Sequence, residues 1–379
     1  MKIVADENIP LCEAFFGDIA DIVRLPGRQM SAEHVRDADA LLVRSVTKVN
    51  AGLLADSSVS FVGTCTIGMD HLDTRWLDSV GIAYTNAPGC NANSVVEYVY
   101  AALAALDVDW ITKRFGIIGC GNVGGLLYRR LKAQGIECYC YDPFLTSEQN
   151  PDLATLEQVL SADVVCLHTP LTLDGPHPTR HLLGERDLLQ LPSGTVLLNA
   201  GRGEVIDNAA LNRVLQQRTD LQVVLDVWEP EPEISLELLD RVALGTPHIA
   251  GYSFDGKLMG TAMIYQALCQ HFTITPRVQL AEVSPKVSDS LLTLPGGSDW
   301  HALQQLLPEV YAITDDDARL RALAASVRTE GASLAQGFDA LRKHYPLRRE
   351  FHNYRVRGDF AQKEPQAQRL AAIGFSIDI

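Results

Sequence analysis

The chain has 379 residues, which is long enough for two or three domains with a large buried core. Its 47% hydrophobic and 21% charged residues are typical of a soluble globular protein, and a net charge of −15 without any lysine- or arginine-rich run argues against a nucleic-acid partner. No apolar stretch reaches the roughly 18 uncharged residues of a membrane span, and acidic residues follow the first methionine closely, so we expect neither a membrane partner nor a signal peptide.

The eight cysteines form no C-x-x-C pair, and several lie within apolar strand patterns. This usage favours reduced thiols in the core of a cytoplasmic protein over disulfides or a zinc site. We therefore predict a cytoplasmic location and no bound metal.

The first part of the chain alternates strand and helix patterns. Short apolar runs predict strands at residues 2–5, 40–44, 60–64 and 82–85, with a helix near residues 11–16. This alternation predicts a parallel α/β sheet, in which ligands bind beyond the carboxyl ends of the strands.

Two loops begin where predicted strands of this sheet end. Arg44 can bind a carboxylate or a phosphate through two parallel hydrogen bonds, and Ser45 and Thr66 offer hydroxyl groups. A capping or surface role explains each of these residues equally well when it is considered alone. The loops are nevertheless where the fold predicts a ligand.

Residues 86–94 are rich in turn formers and lead into an alanine-rich helical pattern at residues 95–106. This helix is too short to span a membrane and contains Glu97, so we expect it to be buried in the protein. We predict that Asn93 or Ser94 caps its amino terminus and that a new domain begins here.

The central feature of the sequence is a glycine turn. Residues 115–118 form an apolar strand pattern, and Gly119, Gly121 and Gly124 follow it in the spacing G-x-G-x-x-G before a helical pattern. The first glycine allows a tight turn, the second lets a pyrophosphate approach the backbone, and the third lets the helix pack on the strand.

A second apolar strand after this turn ends at Asp142. A carboxylate at that position accepts hydrogen bonds from the adenosine ribose and repels a 2′-phosphate, which favours NAD over NADP. The alternative is a purely structural glycine turn beside a surface aspartate.

The second α/β region continues with predicted strands at residues 164–168, 195–199, 223–226 and 242–244. A helix at residues 254–272 is expected to return the chain to the first domain. The nucleotide-binding domain is then an insertion, with a cleft between the two domains.

From about residue 285 the pattern changes. Helical patterns occur near residues 300–307, 316–326, 331–344 and 365–372, with strand patterns at residues 351–357 and 375–377. We predict a small third domain that contains both helices and strands.

Three segments that follow strands of the nucleotide-binding domain offer an arginine, a carboxylate and a histidine. These residues are Arg202, Glu231 and His248. Oxidation of a 2-hydroxy acid uses that set, because an arginine holds the carboxylate, a histidine takes the hydroxyl proton, and a carboxylate behind the histidine fixes its tautomer. Considered alone, each residue also fits a structural role: an ion pair, a solvated loop carboxylate or a core histidine.

The glycine turn, residues 199–207, residues 226–232 and the Pro247–His248 pair together resemble the D-isomer-specific 2-hydroxyacid dehydrogenase family, from residue 1 to about 285. The resemblance implies an α/β fold with a flavodoxin-like substrate domain (residues 1–93 and 256–284) and an inserted Rossmann NAD-binding domain (residues 94–255). It also implies a small α+β C-terminal dimerisation domain at residues 285–379, and hence a homodimer.

The resemblance assigns roles residue by residue. It implies that Arg202, Glu231 and His248 are catalytic. It implies substrate contacts at Ser45, Thr66 and Tyr252. It implies that NAD is contacted by the following residues: Gly119, Gly121, Asn122, Val123, Gly124, Asp142, Thr169, Asp226 and Gly251.

The implied substrate is a four-carbon phosphorylated 2-hydroxy acid, oxidised by NAD. The substrate phosphate needs cationic partners, although the protein is acidic overall. We hypothesise that Arg44 binds it, together with the arginines of residues 346–357 (Arg348, Arg349, Arg355 and Arg357) from either subunit. A solvated cluster is the alternative for those four. Two other functions stay open: a 3-phosphoglycerate dehydrogenase, and an NAD(H)-sensing corepressor module without turnover.

Overall fold

The structure is a computed structural model, and it describes residues 1–360 and 364–378. The strands within these residues are β1 (Lys2–Asp6), β2 (Asp21–Leu25), β3 (Ala40–Val43), β4 (Phe61–Thr64), β5 (Ala83–Thr85), β6 (Phe115–Ile118), β7 (Cys138–Tyr141), β8 (Val164–Leu167), β9 (Val196–Asn199), β10 (Gln222–Leu225), β11 (Leu244–Gly245), β12 (Leu291–Thr293), β13 (Arg355–Arg357) and β14 (Ser376–Asp378).

The α-helices of the same residues are α1 (Cys12–Phe16), α2 (Ala32–Val35), α3 (Ala51–Leu54), α4 (Thr74–Val80), α5 (Ala92–Ala105), α6 (Asn122–Ala133), α7 (Leu156–Leu160), α8 (Glu185–Leu189), α9 (Asn208–Leu215), α10 (Leu236–Arg241), α11 (Phe254–His271), α12 (Leu280–Val283), α13 (Asp299–Val310), α14 (Ile313–Glu330), α15 (Leu334–Lys343) and α16 (Glu364–Ile373). Among the described residues, no helix is both long enough and apolar enough to cross a membrane.

The chain forms two compact units. The first contains residues Met1–Asn91 and Ser253–Lys286, and the second contains residues Ala92–Tyr252 and Val287–Ile379. The predicted division into three domains stays a prediction, because the C-terminal residues lie in the same unit as the nucleotide-binding region.

The first unit is built on a parallel sheet with the strand order β2-β1-β3-β4-β5. This is the flavodoxin-like order, with helices against a sheet whose central strands β3 and β4 are completely buried. The edge strand β2 was not predicted from the sequence. It is only partly buried and carries charged residues at both positions 21 and 24, so it lacks an apolar run.

The second unit is built on a parallel sheet with the strand order β11-β10-β9-β8-β6-β7. The chain continues from β6 to β7 on one side and from β7 to β8 on the other, so the sheet has a switch point between β6 and β8. Ligands of doubly wound sheets bind beyond the carboxyl ends of the strands at such a point. The predicted α/β fold with parallel sheets is confirmed.

Two apolar cores cover the faces of this second sheet, and the C-terminal residues contribute to both. Leu303 and Phe351 pack in the core that contains α5 and α6, whereas Leu320 and Phe338 pack in the core on the opposite face. This burial explains why residues 287–379 join the second unit, since each packed side chain gains roughly 2 kcal/mol from leaving water.

One local prediction is wrong, and another is confirmed only in part. Helix α5 begins at Ala92, so neither Asn93 nor Ser94 is its N-cap; Ser94 is buried, and its hydroxyl donates to the carbonyl of Ala250 (2.7 Å). The predicted strand at residues 351–357 is a single 3-10 turn at Phe351–Asn353 followed by the short β13, because Phe351 turns inward to stack on Phe375 with ring centroids 4.6 Å apart.

Helix α5 places an acidic side chain in the core. Glu97 is 2% exposed, and its carboxylate accepts a hydrogen bond from the backbone N–H of Phe351 (2.9 Å). Burial, and then the charge of Glu350, raise the pKa of Glu97 well above its ordinary value. A raised carboxyl pKa stabilises the folded state only at low pH, and this contribution is lost as the pH rises through the folded pKa.

We therefore expect Glu97→Gln to stabilise the protein at neutral pH, by about 1.4 kcal/mol for each unit of the pKa shift that it removes. The glutamine keeps an acceptor for Phe351 without the charge. Urea unfolding from about pH 4 to about pH 8 measures this, and the gain over wild type should grow with pH. A gain that does not change with pH would contradict the assignment.

Candidate active site

The strands of the second sheet end in register. Ile118 of β6 pairs with Leu167 of β8, Leu167 pairs with Asn199 of β9, and Leu225 of β10 pairs with both Asn199 and Gly245. The loops that follow these five residues therefore start side by side at one edge of the sheet. They are the glycine turn, residues 168–172 and the three segments with Arg202, Glu231 and His248.

Two of the three candidate catalytic residues are in direct contact. Nδ1 of His248 lies 2.7 Å from Oε2 of Glu231, and Oε1 of Glu231 accepts the backbone N–H of Trp228 (2.9 Å). Because a carboxylate only accepts hydrogen bonds, Nδ1 carries the hydrogen in this contact. Nε2 of His248 is then the ring atom that can gain or lose a proton.

Electrostatics keep this carboxylate charged. Burial raises the pKa of Glu231, but the opposing effects of His248, of the Trp228 N–H and of the Arg342 charge are larger in sum and hold it below its ordinary value. Glu231 is thus ionised at neutral pH. A charged carboxylate behind the imidazole stabilises its protonated form.

The backbone of His248 has a left-handed conformation, with φ of 57°, which is uncommon for a residue other than glycine. Asp226 holds this loop: its carboxylate accepts the N–H groups of Ile249 (2.7 Å) and Ala250 (2.9 Å) and the hydroxyl of Thr246 (2.7 Å). The backbone N–H of His248 also donates to the Asp226 carbonyl (2.7 Å). The carboxylate predicted to contact NAD therefore already fixes the histidine loop.

Arg202 lies in the neighbouring loop and is half-buried. Asn199 shapes this loop, because its amide donates to the Arg202 carbonyl (2.9 Å) and its amide oxygen accepts from the Gly201 N–H (3.1 Å). The Arg202 guanidinium donates to the Gly201 carbonyl (2.9 Å). Within the described residues it forms no hydrogen bond with Glu231 or His248, so the structure joins only two members of the predicted triad directly.

Trp228 connects the three loops. Its backbone N–H holds Glu231, its indole N–H donates to the Thr246 carbonyl (2.9 Å), and its backbone packs on Gly203, the residue after Arg202. A Cβ added to Gly203 would lie 1.9 Å from the Trp228 carbonyl oxygen. Only glycine allows this contact.

Gly203→Ala should therefore lower the free energy of unfolding by about 3 kcal/mol, because the clash is with backbone that cannot rotate away. The same displacement should lower kcat. Gly184→Ala is a matched control, since its added Cβ would meet no atom closer than 3.9 Å. Urea unfolding and steady-state kinetics of both variants test this, and equal behaviour of the two would refute it.

The glycine turn has the geometry that a dinucleotide requires. Gly119 has φ of 85°, and a Cβ added to Gly124 would lie 1.9 Å from the Gly119 carbonyl oxygen, so both positions need glycine. A Cβ on Gly121 would meet nothing within 4 Å, so this side of the turn is open. Helix α6 begins at once with Asn122 and Val123, and its first N–H groups follow the turn.

The surroundings of the turn also fit a polar cofactor. Asp142, at the end of β7, accepts the backbone N–H of Cys120 (2.9 Å), which places its carboxylate beside the turn. The hydroxyl of Thr169 and both ring nitrogens of His168 are buried without a partner among the described residues. Burial lowers the pKa of His168 to about 4, so its ring is neutral. Gly251 follows the Asp226-bound loop and is half-buried.

The candidate substrate residues of the first unit follow neighbouring strands. Val43 of β3 pairs with Thr64 of β4, so the loops with Arg44 and Thr66 start at one edge. The hydroxyl of Thr66 lies 2.8 Å from that of Thr64. Ser45 is exposed and Arg44 half-buried.

The C-terminal residues reach the histidine loop, which the sequence did not predict. The ring of Tyr252 packs edge-on against Tyr345 with centroids 5.9 Å apart, and the Arg342 guanidinium carbon lies 5.6 Å from the Tyr252 ring centroid. The buried Arg348 donates to the hydroxyl of Ser94 and to the carbonyl of Ala250 (2.5 Å). No local motif could have indicated these contacts, because they join segments far apart in the chain.

The other hypothesised phosphate ligands have protein partners. The guanidinium of Arg349 donates to Asn353 (2.8 Å), and Arg355 and Arg357 both pair with Asp378 (3.3 and 2.8 Å). Their role in phosphate binding stays a prediction.

Within the described residues, one group has the side chains to hold a metal ion. Ligand atoms of His181, Asp207 and Glu229 lie within 4.8 Å of one another. His181 Nε2 is 2.9 Å from both carboxylate oxygens of Glu229, which is the geometry of an ion pair.

Three protein-family models match the chain. The D-isomer specific 2-hydroxyacid dehydrogenase catalytic domain matches residues 3–174, the NAD binding domain of the same family matches residues 100–250, and a domain of unknown function, DUF3410, matches residues 285–374.

Two relatives match over almost the whole chain. The erythronate-4-phosphate dehydrogenase of Cellvibrio japonicus is 61% identical, covering 99% of each chain, and that of Teredinibacter turnerae is 50% identical, covering 100% of this chain and 99% of the relative. The NAD⁺-bound 3-phosphoglycerate dehydrogenase of Entamoeba histolytica has a similar fold, with a TM-score of 0.61 and 24% identity over 74% of this chain and 98% of that structure.

Proposed function

The chain belongs to the D-isomer specific 2-hydroxyacid dehydrogenase family, and on that premise we propose that it oxidises 4-phospho-D-erythronate to 2-oxo-3-hydroxy-4-phosphobutanoate with NAD, in pyridoxal 5′-phosphate (vitamin B6) synthesis. The names of the two relatives that match along its length support this substrate. The chain is thus an NAD-dependent dehydrogenase acting on a CH–OH group.

The proposed chemistry rests on one observation. Nδ1 of His248 lies 2.7 Å from the Glu231 carboxylate, at the carboxyl edge of the sheet that bears the glycine turn. Nε2 of His248 takes the proton of the substrate's C2 hydroxyl, and the charge of Glu231 stabilises the imidazolium that forms. NAD, when bound, accepts the hydride that leaves C2. Arg202 holds the substrate carboxylate and polarises the C2 oxygen as it becomes a carbonyl.

The remaining contacts follow from the same proposal. The open side of the turn at Gly121 and the first N–H groups of α6 would hold the pyrophosphate of NAD. Asp142 would accept hydrogen bonds from the ribose hydroxyls, and Thr169 offers a hydroxyl without a partner among the described residues. Asp226 and Gly251 would also contact NAD. Arg44, Ser45, Thr66 and Tyr252 bind the substrate.

The test is NADH formation by the purified protein, followed by absorbance. The substrates are 4-phospho-D-erythronate, unphosphorylated D-erythronate and 3-phosphoglycerate. A kcat/KM that is highest for the first supports the proposal. A preference for 3-phosphoglycerate would keep the chemistry but refute the substrate. If none of the three substrates gives NADH after bound nucleotide has been removed, the result would favour an NAD(H)-sensing corepressor module.

We also propose a cytoplasmic homodimer that forms through residues 285–379. Exposed apolar side chains in this region, Leu291 (41%) and Leu347 (73%), support an interface. Sedimentation should give about twice the 41.5 kDa chain mass, and Leu347→Asp should shift it toward the single-chain value. A single-chain mass for the wild-type protein would refute the dimer.

A further inference from the structure

An arginine near the histidine loop forms no ion pair with the residues that the structure describes. Arg342 lies in the last turn of α15, and its guanidinium carbon is 5.6 Å from the ring centroid of Tyr252. Its Nε is buried without a hydrogen-bond partner, and its side chain forms no ion pair with any residue that the structure describes. A buried donor that stays unbonded is costly, so a partner from outside the chain is expected.

Other arginines of the C-terminal helices form ion pairs with carboxylates. Arg321 pairs with Asp317 (2.8 Å), and Arg328 pairs with Asp240 (2.7 Å). The chain has a net charge of −15 and hence many carboxylates that could have neutralised a guanidinium. Among the described residues no carboxylate forms an ion pair with Arg342, although its charge acts on Glu231, so its guanidinium stays available to an anionic ligand.

The guanidinium lies near the loop that carries His248. Tyr252 follows His248 by four residues, and its backbone N–H donates to the Ile249 carbonyl (2.9 Å). The charge of Arg342 also contributes to lowering the pKa of Glu231, which contacts His248 directly. Arg342, Tyr252, Glu231 and His248 all belong to the second compact unit. The fold of that unit therefore fixes the position of the positive charge relative to Glu231 and His248.

We propose that Arg342 binds the phosphate of the substrate and thereby selects phosphorylated over unphosphorylated 2-hydroxy acids. The inference rests on the proposed function and names the residue responsible for its specificity. The phosphate is two carbons beyond C2, where His248 acts, so it needs a cation close to the histidine but separate from the Arg202 that holds the carboxylate. A guanidinium offers parallel N–H donors that match two phosphate oxygens.

The test compares Arg342→Gln with Lys343→Gln, which removes an exposed positive charge from the next position of the same helix. Arg342→Gln should raise the KM for 4-phospho-D-erythronate by about 50-fold, with kcat within about threefold of wild type. Its kcat/KM for unphosphorylated D-erythronate should not change. Arg342→Lys should be intermediate, and Lys343→Gln should resemble wild type with both substrates.

Two results would overturn the inference. If Arg342→Gln weakens turnover of both substrates equally, the guanidinium acts through Glu231 or the fold and not through the phosphate. If it changes neither, the phosphate binds elsewhere, for example at Arg44.

Failure of the proposed function can be separated from failure of this inference by calorimetry with inorganic phosphate. A wild-type protein that does not oxidise 4-phospho-D-erythronate refutes the proposed function. Phosphate binding by that protein, weakened at least about tenfold in Arg342→Gln but not in Lys343→Gln, would still support the anion site. Equal phosphate binding by all three proteins, or none by wild type, would overturn it.

Discussion

Replacing His248 with asparagine is expected to lower kcat by about 10³-fold, because the proton of the C2 hydroxyl then has no acceptor. The asparagine amide can occupy the place of Nδ1 and still donate to Glu231, which lies 2.7 Å from that atom in the wild-type protein. The variant therefore loses Nε2 while the loop and its carboxylate partner remain. Binding of NADH should stay within about threefold of wild type, since the glycine turn is untouched.

Glu231→Gln is the companion variant. Glutamine still accepts the N–H of Trp228 but has no charge to stabilise a protonated imidazole, so kcat should fall by about 10²-fold. The double variant should be little worse than His248→Asn, since the carboxylate acts through the histidine. Single-turnover measurements with 4-phospho-D-erythronate check the order of these effects. Loss of less than about tenfold in His248→Asn would mean that another group accepts the proton.

The sequence predicted the parts of the fold that have a strong local signal. The run Phe115–Ile118 before Gly119 has the composition of a buried strand, and the spacing of the glycines limits what can follow it. The edge strand β2 has a weaker signal, because its apolar residues lie between Asp21 and Arg24, and the edge strand β12 is half-exposed and only three residues long. Tertiary pairing alone determines them.

The proximity of Glu231 and His248 could be predicted for a related reason. Glu231 and His248 each follow a strand, and the register of parallel strands brings the ends of β10 and β11 together. Nothing comparable marks Arg342 or Arg348, whose partners near residue 250 are determined by how the C-terminal helices pack. From the sequence, Arg348 was expected either to bind phosphate or to lie in a solvated arginine cluster, whereas only 6% of it is exposed. The sequence alone does not show that a charged side chain is buried, because its burial depends on the distant segments that pack around it.

That buried arginine gives the second large prediction. Arg348 donates to Ser94 and to the carbonyl of Ala250 (2.5 Å), and its guanidinium carbon lies 4.1 Å from the ring centroid of Tyr311. Its charge also opposes the rise in the pKa of the buried Glu97. Removing it takes away the donor to the Ser94 oxygen and one of the two positive charges, with Arg130, that oppose the rise in the pKa of Glu97.

We expect Arg348→Met to lower the free energy of unfolding by about 3 kcal/mol, because it removes the hydrogen bonds of a buried guanidinium to Ser94 and Ala250 and its contact with the ring of Tyr311. It should also lower kcat by roughly tenfold, because the Ala250 carbonyl lies two residues from His248 and its loop would loosen. Urea unfolding and steady-state kinetics measure the two effects. Arg355→Met is the control, since its side chain is 57% exposed and its pairing with Asp378 should be worth less than about 1 kcal/mol.

A Glu97→Gln background tests whether the charge of Arg348 stabilises the fold through Glu97. If Arg348 stabilises the fold partly by offsetting the charge of Glu97, then Arg348→Met should cost less in a Glu97→Gln background than in wild type, by about 1 kcal/mol. The remaining loss would come from the bonds to Ser94 and Ala250 and from the contact with Tyr311. Strict additivity of the two substitutions would mean that Arg348 acts only through those bonds. The kinetic defect should persist in the double variant, because the link from Arg348 to the histidine loop does not pass through Glu97.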